Sequence, residues 1–136
     1  MPSFSKKSMT ALNSCSQDIQ TILLEAIKYI DFSIIEGQRT AERQAELYAK
    51  GRTEPGEIVS NCDGIINKSK HQASPKSKAA DVVPYPTLWE NENLFFALNG
   101  VIETVQKQLL NDGRIKHPLK WGGNWLNLKD LPHYEI

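Results

Sequence analysis

The chain holds three histidines, His71, His117 and His133, and two of them stand near carboxylates that could share their chemistry. His71 closes a long polar segment, and Asp81 follows after nine intervening residues, inside an apolar run. His133 lies three residues beyond Asp130. A catalytic zinc takes about three protein ligands and keeps a position open for water. Two neutral imidazoles and one carboxylate would form such a set. The spacing is not a local metal motif of the His-Glu-x-x-His kind, so the residues alone leave alternatives open. His71 could be a solvated loop side chain, with Asp81 capping a turn or pairing with a lysine. His117, followed by Pro118, reads as a strand or surface residue and is the rival ligand should His71 not serve. Cys15 and Cys62 make no disulfide framework. Neither has the cationic setting that activates a thiol.

The elements that must position these residues can be read from periodicity. Leu12, Cys15, Ile19, Ile22, Leu23, Ala26, Ile27 and Ile30 recur in steps of three and four, which predicts one helix with an apolar face. On that face Cys15 is a buried small hydrophobe. Phe32 to Gly37 is short and β-branched and predicts a strand buried on both faces. Thr40 caps a second helix over 41–50, stopped by Gly51. Residues 52–78 form a polar loop of a length that is often functional. Ala79 to Val83 is a second strand, ended by Pro84-Tyr85-Pro86. A third helix runs over about 90–110 with Phe95, Leu98, Ile102, Val105 and Leu109 buried. Then come a strand, a Gly-rich aromatic turn and a terminal strand over 133–136. The fold class is α+β, a small and mainly antiparallel sheet with about three helices packed on it.

The chain is 136 residues long, enough for one domain over 1–136 and no second module. Hydrophobic residues at 40% and charged residues at 24% mark a globular protein with a real core. Sixteen basic residues balance sixteen acidic ones, so the basic excess of a nucleic-acid binder is missing. No apolar stretch follows Lys6 and Lys7, and none reaches the length of a span, so the expectation is a chain with neither secretory signal nor stable membrane association. Lys68, Lys70, Lys76 and Lys78 form a local basic patch, read as a solvated loop.

Four segments carry a family resemblance in their order along the chain. They are Ser69-Lys70-His71, Ala80-Asp81-Val82-Val83-Pro84-Tyr85, Trp121-Gly122-Gly123-Asn124-Trp125, and Lys129 to Ile136 with Asp130-Leu131-Pro132-His133. Together they resemble the zinc-dependent peptidoglycan peptidases of the D-Ala-D-Ala carboxypeptidase and L-alanyl-D-glutamate endopeptidase type, most of all single-domain bacteriophage endolysins. Phe32 to Thr40 is similar to the family's strand that ends in an arginine before a helix. The resemblance implies a Hedgehog/D,D-peptidase-like fold in which His71, Asp81 and His133 hold Zn2+. It implies Asp130 as the catalytic carboxylate, Arg39 as the group that stabilises the oxyanion or holds a substrate carboxylate, and Ser69 as a substrate-cleft residue. A carboxylate beside an acidified water can take its proton and return it to the leaving amine. Asn124 stands where relatives often carry Asp, and the 72–80 interval is longer than in many of them.

The resemblance further implies the peptidoglycan stem peptide as partner, cleavage of its L-Ala–D-Glu bond, and a monomer. Such an enzyme would stay in the host cytoplasm until another protein permeabilises the membrane, and then act on the wall. Three rivals share parts of this reading. A D,D-carboxypeptidase would use the same residues. A non-catalytic zinc domain binding wall peptides would not need Asp130. A glycosidase would use two carboxylates such as Glu36 and Asp81.

Overall fold

A computed structural model describes residues 2–136. Four α-helices and four short strands follow one another in the order α1 (Lys6–Asn13), α2 (Gln17–Ala26), β1 (Phe32–Glu36), α3 (Ala41–Ala49), β2 (Ala79–Pro84), α4 (Glu92–Asn111), β3 (Lys120–Trp121) and β4 (His133–Glu135). Two 3-10 turns, Lys70–Gln72 and Gly122–Asn124, complete the set. The strands form one antiparallel sheet in the order β1-β2-β4-β3.

Alternation along the strands decides what each face carries. Phe32, Ile34, Ala80, Val82 and Tyr134 point into a buried cluster completed by Leu12, Ile19, Ile22 and Leu23 of the first two helices and by Leu98, Ile102, Val105 and Leu109 of α4. Asp81 and His133 fall on the opposite face and sit directly across from each other in the β2–β4 register. A bulge in β1 between Ile34 and Glu36 advances that strand by one residue, so Glu36 rather than Ile35 stands opposite Asp81. One face of the sheet is therefore core. The other holds a row of polar side chains, Glu36, Asp81 and His133, over three neighbouring strands.

Two expectations need correction. The single helix read over residues 12–30 is two helices, broken at Ser14-Cys15-Ser16. There the backbone turns aside to pair with the loop, Ser16 N–H donating to Ser77 O at 2.9 Å and Ser77 N–H to Ser14 O at 2.8 Å. Cys15 remains fully buried, which is why the apolar period runs through the break unnoticed. The strand β1 is not buried on both faces: Phe32 and Ile34 are buried while Ser33 and Ile35 are exposed. The helix read over 41–50 forms as α3, with the Thr40 hydroxyl accepting from Arg43 N–H. The five residues predicted for the buried face of the last long helix are all buried in α4. Truncating a fully buried member of the cluster, Ile22→Ala, is expected to destabilise the fold by about 2–5 kcal/mol, read as a lower urea midpoint with unchanged slope.

Candidate active site

His71 reaches the sheet from the 3-10 turn after the polar loop. Ser69 caps that turn, its hydroxyl accepting from His71 N–H at 3.2 Å while Ser69 N–H donates to Gln72 Oε1 at 2.9 Å. The turn brings His71 Nε2 to 3.3 Å from Asp81 Oδ1 and 3.3 Å from His133 Nδ1, and His133 Nδ1 to 3.3 Å from Asp81 Oδ1. His71 and His133 are buried and Asp81 nearly so.

The surroundings of each group fix which atom faces the others. The Gly37 carbonyl can only accept, so His71 carries its proton on Nδ1, which donates at 2.8 Å, and Nε2 presents a lone pair. His133 donates Nε2–H to Glu135 Oε1 at 2.9 Å, leaving Nδ1 for the centre. Arg39 Nη2 donates to Asp81 Oδ2 at 3.1 Å, leaving Oδ1. Although Oδ1 lies near both imidazoles, neither contact is aligned as a hydrogen bond, and it is a buried acceptor with no donor. Three possible ligand atoms thus converge on one point, with the buried Asp81 Oδ1 lacking a donor, an arrangement that suits a cation.

The triangle fits zinc. Tetrahedral coordination with bonds of about 2.0–2.1 Å separates neighbouring ligand atoms by about 3.3–3.4 Å, the spacing found on all three sides. Each of the three groups also has an outer partner of the kind that sets ring tautomer and carboxylate orientation in metal centres. The electrostatics point the same way. Burial would raise the Asp81 carboxyl, but the interactions with His133 and His71 hold it well below the usual carboxylate range. Burial would lower the His133 imidazolium, yet the carboxylates of Asp81 and Glu135, together with the charge of Asp130, push it up to about 9. Without a metal, a proton on His133 supplies the positive charge.

That shift has a measurable sign. The folded His133 value of about 9 lies above the ordinary 6.5, so its contribution to stability is complete below pH 6.5 and is lost as pH rises through 9. Melts of chelator-treated protein are expected to lose roughly 5 °C between those pH values, and the zinc-loaded protein to lose none of it. An unchanged Tm in the chelated protein would contradict the geometry.

Around the triangle lies a cavity of about 500 Å³ lined by Glu36, Arg39, Ser69, Asp130, Trp89 and Trp125 among others. Asp130 is raised to about 6, by burial first and then by the negative charge of Asp81. A carboxyl that titrates near neutrality can both accept and return a proton. Its place depends on Gly122, which accepts from Asp130 N–H at 3.1 Å and whose Cα leaves no room for a Cβ against the Asp130 carbonyl. Trp125 packs over the His133 ring with centroids 4.9 Å apart and forms cleft wall, whereas Trp121 is core, stacked on Tyr134.

Arg39 is the most heavily committed of the residues singled out by sequence. Its Nε and Nη2 hold Glu36 by a two-pronged ion pair at 2.8 Å each, Nη1 donates to Gln44 at 2.8 Å, and Nη2 also reaches Asp81. Of five guanidinium N–H groups, one on Nη1 remains uncommitted. His117 lies far from the cluster and is exposed, held by Asp18 at 2.9 Å. Sequence reasoning missed Glu135, Gly37 and Gln44 as supports of the centre. Glu135 could have been found from alternation, since it shares a strand face with His133. It is drawn down to about 2 by its hydrogen bond to His133 and by Lys70. Glu135→Ala is expected to weaken zinc binding by about 10–100-fold in a chelator competition.

A buried triad of two imidazoles and a carboxylate, opening into a cleft beside a second carboxyl, is a group compatible with a metal ion on an α+β scaffold. The family model for phage L-alanyl-D-glutamate peptidases matches residues 2–135, and the chain belongs to that family. It is 32% identical over 117 residues to the peptidoglycan L-alanyl-D-glutamate endopeptidase CwlK of Bacillus subtilis (strain 168). The match covers 82% of this chain and 64% of that relative's length, so the chain spans somewhat under two thirds of it. In fold it is similar to the L-Ala D-Glu endopeptidase ChiX of Serratia marcescens, with a TM-score of 0.72 at 23% identity over 99% of this chain and 90% of the other.

Proposed function

We propose that the chain is a zinc peptidase that cuts the L-Ala–D-Glu bond of the peptidoglycan stem peptide and serves as a phage endolysin. The observation that carries this reading is the triangle of potential ligand atoms from His71, Asp81 and His133, 3.3 Å on each side, with Asp130 in the same cavity. These three residues would hold the metal. Zinc, when bound, supplies a Lewis acid that polarises the scissile carbonyl and makes water acidic enough to attack at neutral pH. Asp130 takes the proton of the attacking water on its carboxylate and delivers it to the departing amine. Arg39 holds Asp81 in orientation and keeps one N–H for the oxyanion or for a substrate carboxylate. Ser69 borders the cleft and fixes the turn that carries His71.

The enzyme would act as a monomer, wait in the host cytoplasm and reach the wall once the membrane is breached. No helix among the described residues is long and apolar enough to cross a membrane. The glycosidase alternative loses its acid: Glu36 is clamped by Arg39 and lowered against the pull of burial, and Asp81 is lowered as well. Mass spectrometry of purified peptidoglycan fragments, incubated with zinc-loaded and with chelated protein, tests the proposal. Zinc-dependent products split between L-Ala and D-Glu are expected. Loss of terminal D-Ala would make it a carboxypeptidase, and untouched fragments would end the peptidase reading.

A further inference from the structure

Gln44 is fully buried in the middle of α3, yet its amide is not turned toward solvent or its own helix. Its Oε1 accepts from Arg39 Nη1 at 2.8 Å. Its Nε2 donates to Ser60 Oγ at 2.8 Å and to the Cys62 carbonyl at 2.8 Å. Both ends are obligatory. A guanidinium only donates and a backbone carbonyl only accepts, so the buried group between them must offer an acceptor on one side and a donor on the other. A primary amide does this; a carboxylate or a thioether does not. The stem is held as well, because Gly64, at φ 89°, brings its bare Cα against Gln44, where a Cβ would lie 3.1 Å from the glutamine Cβ.

The two partners of this amide belong to different parts of the site. Arg39 orients Asp81, one of the three converging donors. Ser60 and Cys62 sit in the long polar loop and line the cavity, as do Trp125 and Leu128. Within that loop Ser60 Oγ also accepts from Cys62 N–H at 3.1 Å, so the Gln44 contact organises a small turn rather than a single side chain. Arg52 supports the same turn from outside by donating to Ser60 O at 2.9 Å.

We infer that Gln44 is a positioning residue that joins the loop wall of the substrate cleft to the Arg39–Asp81 pair under the metal centre. One buried amide then sets two properties together: how firmly the cleft wall is held, and how Asp81 presents its coordinating oxygen. The inference rests on the proposed peptidase reading for its substrate side only.

Three substitutions in the full chain separate the two ends. Gln44→Met cuts both, and is expected to weaken zinc in chelator competition by about tenfold, the lower end for outer partners of metal ligands, and to raise KM for muropeptide by a similar factor. Ser60→Ala removes one of the two loop contacts and leaves the Arg39 end whole, and should raise KM severalfold with zinc affinity within about twofold of the parent. Gln44→Glu keeps an acceptor for Arg39 but sets an oxygen against the Cys62 carbonyl, so it should hold zinc within about threefold while KM rises. It also serves should Gln44→Met not fold. Hydrogen exchange over residues 57–68 of the zinc-loaded protein is expected to quicken by about tenfold in both Gln44 variants. Folded Gln44 variants with parental zinc affinity, KM and loop exchange would overturn the inference, as would a loss of Tm alone. Should the parent cleave no muropeptide, the peptidase reading fails, while zinc affinity and loop exchange still decide the role of Gln44.

Discussion

Asp81→Asn is expected to abolish zinc binding and reduce hydrolysis to the level of the chelated protein while leaving the fold intact. The carboxylate divides its two oxygens between Arg39 and the centre, where Oδ1 has no donor. An amide of the same shape would keep its oxygen on Arg39, which only donates, and would turn its NH₂ toward the two imidazole nitrogens 3.3 Å away. Both lone pairs would then be satisfied by protein hydrogen bonds and the cation would have no place. The metal-free variant should melt below the metal-free parent at neutral pH, because the Asp81 charge no longer pairs with Arg39 and the protonated His133. Metal analysis after gel filtration and melts with and without chelator check both halves. A variant that keeps stoichiometric zinc would show that Asp81 is not a ligand.

What the sequence discloses and what it hides divide along the reach of each interaction. The buried face of α4, the Thr40 cap and the strands flanking Asp81 follow from residues within a few positions of one another, and local periodicity reads them. The break between α1 and α2 does not, because Cys15 stays in the core and the pairing that turns the chain comes from Ser77, more than sixty residues away. The centre is harder still. His71 and His133 are joined only by sheet register and by a turn at the end of a long loop, so no spacing rule picks them out, and the four-segment family resemblance is what singles them out together. Its supports were legible least. The ion pair of Arg39 with Glu36 is three residues long and could be foreseen, but it takes the β1 bulge to set Glu36 across from Asp81. Gln44 looks in sequence like an ordinary polar position on a helix surface, and only the loop folding back over α3 makes it interior.

Asp130→Asn should leave zinc bound and remove most of the turnover, with kcat falling by about 10²–10⁴-fold and KM little changed. Asp130 is not among the three converging donors, so its loss does not open the metal centre. It borders the same cavity and is raised to about 6 because it is buried near the negative charge of Asp81. An amide of equal size occupies the space and keeps the main-chain contacts, Asp130 N–H to Gly122 and His133 N–H to the Asp130 carbonyl at 3.1 Å each, but cannot accept a proton from water. The parent should therefore show an acid limb in kcat that Asp130→Asn lacks. Positive charge at the centre adds to the pull on Asp130, so that limb should lie at or below pH 6 in the zinc-loaded enzyme. Rate measurements on muropeptides from pH 4 to 8, with zinc content verified at each point, read it directly. A parental rate in the variant would remove Asp130 from the chemistry.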